Sequence, residues 1–249
     1  MVDVTHGTRR GFPATRLSIV RELSSRDTAS RREAFEVLVA SYWKPVYTYL
    51  RLCRDASPSD AEDWTQGFFV HALERGDLDG YDPERARFRT WLRACLDGYV
   101  ANERKKARRK KRGGDIRHVS LDFETAEGEL RHREIPAGDD IEEAFHREWV
   151  RELLHASLEE LRTSSLEAGR ELEFGIFARY DLEGPEQESR PTYADVAEHF
   201  GVPTTKVVNV LHAMRRRLRA LVLERVRTLS ATDEEFRAEV AAIFDVGRV

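Results

Sequence analysis

Three groups of side chains in this 249-residue chain have the types and spacing to do chemistry. Asp60, Glu62 and Asp63 place three carboxylates within four positions, enough to begin a divalent-cation site if further ligands converge on them. The stretch 103-ERKKARRKKRGG-114 sets eight Lys or Arg in the nine positions 104 to 112. Such a run is either a solvated like-charge block or a surface for phosphate. Thr205, Lys206, Asn209, His212 and Arg216 share one side of a helical stretch, where Asn can read adenine and Arg can read guanine or grip phosphate. No Gly-rich phosphate loop, Ser/His/Asp triad or Cys/His nucleophile pair accompanies them, and no carboxylate or histidine motif completes the acidic group. The chemistry expected is binding, without enzymatic catalysis or a cofactor.

The elements that must hold these residues are helical. Phe35, Leu38, Val39, Tyr42, Trp43, Val46, Tyr47 and Leu50 recur at helical spacing, and Pro45 among them is expected to kink or divide the helix. In 57-SPSDAEDWTQGFFVHALER-75, Ser57 can cap, Pro58 suits the first turn and Asp60 completes a capping-box-like pattern. Ala61, Trp64, Phe68 and Ala72 share one face there, while Asp60, Asp63, Gln66 and Val70 lie away from it. A valine among acids suggests a face that meets a partner; the plainer account is that Asp60 and Glu62 favour the positive helix N-terminus. A third helix begins near Phe88, with Trp91, Leu92, Cys95, Leu96 and Tyr99 inward, and the basic run continues it outward.

From Val119 to Glu143 there are nine acidic residues against two arginines, with Gly128, Pro136 and Gly138, which reads as an inter-domain linker. Folding of that acidic segment over the basic run is a further expectation. In 192-TYADVAEHFGVPTTKVVNVLHAMRRRLRAL-221 a short helix ends at Gly201, and Thr204 or Thr205 is expected to cap a second one. Val207, Val210, Leu211, Met214, Leu218, Leu221 and Val222 form its inner face, which is the pattern of a helix-turn-helix. The tail 229–249 reads as a short helix capped at Thr232 or Asp233, with Phe236, Val240, Ile243 and Phe244 apolar, either packed on the preceding helix or offered to a regulator.

Composition sets the outer bounds. At 41% hydrophobic and a net charge of -4 the chain can build one large or two small cores, and no run approaches the roughly 20 apolar residues that span a bilayer. The first thirty residues lack a secretory pattern, so the cytosol is the expected location. Cys53 and Cys95 have neither disulfide-framework nor zinc-site spacing and read as reduced core thiols.

Over residues 31 to 227, the combination of 60-DAEDWTQGFF-69, 88-FRTWL-92, a basic helix end and a C-terminal helix-turn-helix resembles the extracytoplasmic-function (ECF) sigma factors of bacterial RNA polymerase. The runs 111-KRGGD-115 and 119-VSLD-122 are similar to a subgroup with an extended linker and a C-terminal tail. The resemblance implies an all-α fold of two small helical domains joined by an acidic linker, plus a short C-terminal helix. Its bounds here would be an arm 1–30, region 2 at 31–118, the linker 119–143, region 4 at 144–228 and the tail 229–249. It implies docking of Glu62, Asp63, Gln66 and Val70 on the clamp coiled coil of the polymerase's largest subunit. Contacts to the promoter's −10 element would fall to Tyr81, Arg87, Phe88, Trp91, Asn102, Arg104, Lys105 and Arg108. Thr204, Thr205, Lys206, Asn209, His212, Arg215 and Arg216 would meet the −35 element.

Gly67 stands where many members carry Glu, and Gly98 and Asn102 where they usually carry Asn and Asp. Partners would be core polymerase and promoter DNA, with an anti-sigma factor or another regulator left open. Two competing readings remain: a stand-alone helix-turn-helix regulator, and a metal-dependent nuclease built on Asp60, Glu62 and Asp63.

Overall fold

A computed structural model describes residues 18–23, 25, 27–75, 80–109, 121–130, 141–183 and 191–245, the side chains of 75, 107–109 and 245 excepted. After the single turn α1 (Ile19–Glu22), Asp27 opens α2 (Thr28–Cys53) by accepting the Ser30 amide at 2.9 Å, a cap of the kind that contributes about 1 kcal/mol. Pro45 lies buried within α2, which runs on as one helix instead of dividing there. Its apolar stripe buries Phe35, Leu38, Tyr42, Val46, Tyr47 and Leu50.

Helix α3 (Pro58–Arg75) starts as its sequence dictates, because Ser57 Oγ accepts the Asp60 amide at 3.1 Å and donates to the Asp60 carboxylate at 2.8 Å. Helix α4 (Phe88–Arg109) buries Phe88, Leu92, Leu96 and Val100 and carries the basic run outward as far as the described residues go. The expected stop at Gly113 and Gly114 lies outside them.

Part of the acidic segment forms α5 (Phe123–Leu130), capped by Asp122 and docked on α2 through Phe123, which packs against Trp43 and Tyr47. Arg51 grips the Glu127 carboxylate with both Nε (2.8 Å) and Nη2 (2.7 Å), Tyr47 donates to it at 2.7 Å, and Lys44 pairs with Glu129 at 2.9 Å. These acids therefore face α2; most of the basic run they were expected to cover lies outside the described residues.

Helix α6 (Ile141–Glu167) crosses between two cores. Its first half sends Phe145, Trp149 and Leu153 into the core built on α2, α3 and α4, while Leu161 joins the second. That second core takes Ile176 and Phe177 from α7 (Glu171–Phe177), which continues as a π-helical turn over Ala178–Leu182. Val196 and Ala197 of α8 (Tyr193–Phe200) and Val207, Val210, Leu211 and Met214 of α9 (Thr204–Thr228) complete it. The far end of α9 returns to the first core with Val222 and Val226, and α10 (Asp233–Asp245) follows it there with Ile243. The fold is all-α, with no strand among the described residues. None of its helices is long and apolar enough to cross a membrane, among the same residues.

Candidate nucleic-acid interface

The amphipathic period of α3 buries three of the four residues expected inward, with Trp64 half-buried and Thr65 and Phe69 buried in addition. Ala61, Thr65, Phe68, Phe69 and Ala72 are buried, Asp60 and Asp63 are exposed, and Glu62, Gln66 and Val70 sit half-buried at the rim. The carboxylate of Asp60 is engaged by its own cap. Among the described residues no three His, Cys, Asp or Glu side chains are grouped to hold a metal ion. Gly67 marks a close approach: a Cβ there would run into Tyr99 Oη of α4, so a glutamate at this position would displace that ring.

Between α3 and α4 the chain presents an aromatic cluster. Tyr81, Phe88 and Trp91 lie with ring centroids 5.1 to 5.7 Å apart, and Tyr42 meets Phe88 edge-on at 5.9 Å. Tyr81 Oη donates to the Ala86 carbonyl at 3.1 Å, which fixes the loop. Burial first, then the Glu235 charge, holds the Tyr81 phenol well above its ordinary pKa. Tyr81, Arg87 and Trp91 are half-buried, whereas Phe88 is only 1% exposed.

The N-terminus of α4, where amides lack helical partners, is occupied from far along the chain. The Phe88 amide donates to Glu235 Oε1 at 2.5 Å, and the other oxygen of that carboxylate accepts the Ala231 amide at 2.7 Å. Arg89 Nε reaches Glu239 at 2.9 and 3.1 Å, and Arg87 Nη1 lies 3.8 Å from the same carboxylate. Arg89 also stacks over Trp149 at 6.0 Å.

Arg89, Glu235 and Glu239 are the residues that sequence reasoning missed. The available signal was the i, i+4 pair of carboxylates bordering the apolar stripe Phe236, Val240 and Ile243.

Farther along α4, Asn102, Lys105 and Lys106 are exposed. Arg104 is committed within the molecule: its guanidinium stacks over Trp64 at 5.3 Å and donates to the Arg54 carbonyl. The Arg108 side chain and residues 110–112 fall outside the described residues.

In the helix pair α8 and α9, Thr192 and Asp195 form a reciprocal capping box on α8. Gly201 closes the helix in the left-handed region at φ 63°, a conformation glycine adopts without a Cβ penalty. Pro203, not Thr204 or Thr205, occupies the N-cap of α9 and offers no side-chain bond; both threonines lie one and two residues inside the helix, their side chains exposed. Proline's fixed φ suffices to turn the chain into the helix, so no hydroxyl cap is needed.

Lys206, Asn209, His212, Arg215 and Arg216 are likewise exposed on α9, opposite the buried Val207, Val210, Leu211 and Met214. Arg215 is held bidentately by Asp181 at 2.8 and 2.7 Å and lies over Tyr180. Arg216 protrudes beside it.

Residues 38–110 match the family model of sigma-70 region 2, a span that takes in most of α2 and all of α3 and α4. No curated protein matches the chain. The matched span contains both the acidic strip of α3 and the aromatic cluster at the start of α4.

Proposed function

We propose that the chain is an ECF-type sigma factor, a non-catalytic subunit that binds core RNA polymerase and directs it to promoters from the cytosol. The observation that carries this reading is the region 2 match together with what it encloses: an exposed Asp63 flanked by half-buried Glu62, Gln66 and Val70, one helix away from half-buried Arg87, Tyr81 and Trp91, the two rings packing on the buried Phe88. The first set suits the clamp coiled coil of the polymerase. The second offers aromatic faces and a guanidinium of the kind on which unstacked bases are held.

Recognition of the −35 duplex would fall to Thr204, Thr205, Lys206, Asn209, His212 and Arg216 at the start of α9. What supports this is their common exposure on a helix whose other face is buried. Asn102 and Lys105 would follow the backbone next to the melted bases. Flipping a base out of the stack costs a few kcal/mol. Docking on polymerase and gripping of the duplex would offset that cost, so strand opening is a binding event.

Reconstitution with core polymerase on a promoter library tests the proposal. Promoter-specific transcripts are expected, and Asp63→Arg is expected to abolish co-purification with core while the helical signal is retained. No core-dependent transcript on any template overturns the sigma reading, and duplex binding without core would favour the stand-alone regulator.

A further inference from the structure

The −10 reader proposed above is closed by the protein's own tail. At the start of α4 three groups suited to an anion are engaged by that tail: the Phe88 amide by Glu235, the Arg89 guanidinium by Glu239, and Arg87 by the same Glu239 at longer range. The two carboxylates are themselves buried, at 8% and 3% exposure, so this is a built contact and not a passing surface pair. Helix N-terminal amides and guanidiniums are also what backbone phosphates require. In the same arrangement the Phe88 ring is sealed under Tyr42, Tyr81 and Trp91, out of reach of a base.

The other side of α10 is fastened differently. Arg227 lies over Phe236 and Arg219 over Phe244, each at 4.3 Å, and Arg227 also pairs with Asp233 at 2.5 Å, so these contacts tie α10 to α9 while Glu235 and Glu239 tie it to α4. An anionic strand would compete for the Phe88 amide and Arg89 with Glu235 and Glu239, and would not compete for the cation–aromatic contacts to α9.

We propose that α10 is an internal competitor of single-stranded nucleic acid: Glu235 and Glu239 hold the places that successive phosphates of the −10 strand take, and the strand binds only when the tail leaves α4. The proposal rests on the reading of α4 as a strand-binding surface, but not on polymerase association.

The test uses the full chain and a fluorescein-labelled single-stranded DNA oligonucleotide of mixed sequence. If the closed form leaves a tenth of molecules competent, Glu235→Gln with Glu239→Gln tightens binding about tenfold, the fraction by which closure lowers apparent affinity. A folded double variant that binds the oligonucleotide no better than the parent overturns the proposal.

A second measurement covers the case in which that variant fails to fold. Spin labels at Arg85→Cys and Ala241→Cys, in a chain with Cys53→Ala and Cys95→Ala, should move apart when the oligonucleotide binds. An unchanged distance in the bound state, or no binding at any concentration by either protein, also overturns it. Loss of core polymerase association alone would strike the sigma reading and leave the competition between tail and strand standing.

Discussion

Arg89 and Glu239, 150 residues apart in the chain, form an ion pair in which Arg89 is 6% and Glu239 3% exposed. Burial raises the Glu239 pKa above the usual carboxylate range, outweighing the attraction of Arg89. Each charge is tolerated there because the other is present. Removing one partner of such a pair costs about 3–5 kcal/mol, whereas replacing both by apolar side chains is often neutral. Arg89→Met or Glu239→Leu alone should therefore destabilise the protein, first as loss of the α4–α10 contact, and the double replacement should recover most of the loss. Urea denaturation of all four proteins measures the coupling, and additive effects would show that the pair is not a unit.

His146 gives a pH signature. Its imidazole packs on Trp149 at 5.9 Å, and neither of its nitrogens has a hydrogen-bond partner among the described residues. Burial, then the charges of Arg89, Arg87 and Arg147, against the weaker opposing pull of Glu142, lower its pKa to about 4. The unfolded chain then takes up a proton near the ordinary pKa, about 6.5, that the folded one refuses, so this contribution falls as pH drops from about 6.5 to 4 and is flat above. Glu239 works with the opposite sign, because a raised carboxyl pKa favours the folded state toward acid. Denaturation midpoints of wild type and His146→Phe across this range isolate the histidine: the wild type should lose more stability toward acid than the variant.

Gly67 tests the α3–α4 approach. Gly67→Ala should destabilise by about 1–3 kcal/mol, the usual cost of overpacking, despite the gain in helix propensity. Adding Tyr99→Phe, which removes the oxygen that the new Cβ would meet, should recover part of the loss in thermal denaturation.

Arg104 and Lys105 should separate despite being neighbours. Lys105 is exposed and has no ion pair among the described residues, so Lys105→Ala should flatten the log–log salt dependence of promoter binding by about 0.9, one phosphate contact on duplex DNA. Arg104 is tied to Trp64 and the Arg54 carbonyl, so Arg104→Ala should lower thermal stability with a smaller change in salt slope. Equal slopes for the two variants would return Arg104 to the DNA surface.

What the sequence disclosed was whatever depends on residues near one another along the chain. Ser57, Pro58 and Asp60 announce the start of α3, and the stripe from Val207 to Val222 announces the inner face of α9, because caps and helical periodicity act over three or four residues. Helix α5 was hidden, since eight residues with little periodicity form a stable helix only when Arg51, Tyr47 and Lys44 of α2 receive their carboxylates. Of the two outcomes expected at Pro45, division does not occur, because packing of Tyr42, Val46 and Tyr47 on both sides keeps α2 continuous across the proline. The contact between α10 and α4 left only a faint trace, the carboxylate pair bordering an apolar stripe, for Glu235 and Glu239 look like surface acids of a terminal helix until the fold brings them to Phe88 and Arg89.

Helix α6 has a mechanical consequence. With 27 residues at 1.5 Å each it is an axle of about 40 Å whose two ends are embedded in different cores. Trp149 is seated at one end and Leu161 toward the other, so the cores cannot part by flexing a loop. One of them must peel away from the axle, and peeling at the α2 side draws Trp149 into water. With Trp43, Trp64 and Trp91 replaced by Phe, the fluorescence of that indole would gauge how far the two halves have separated.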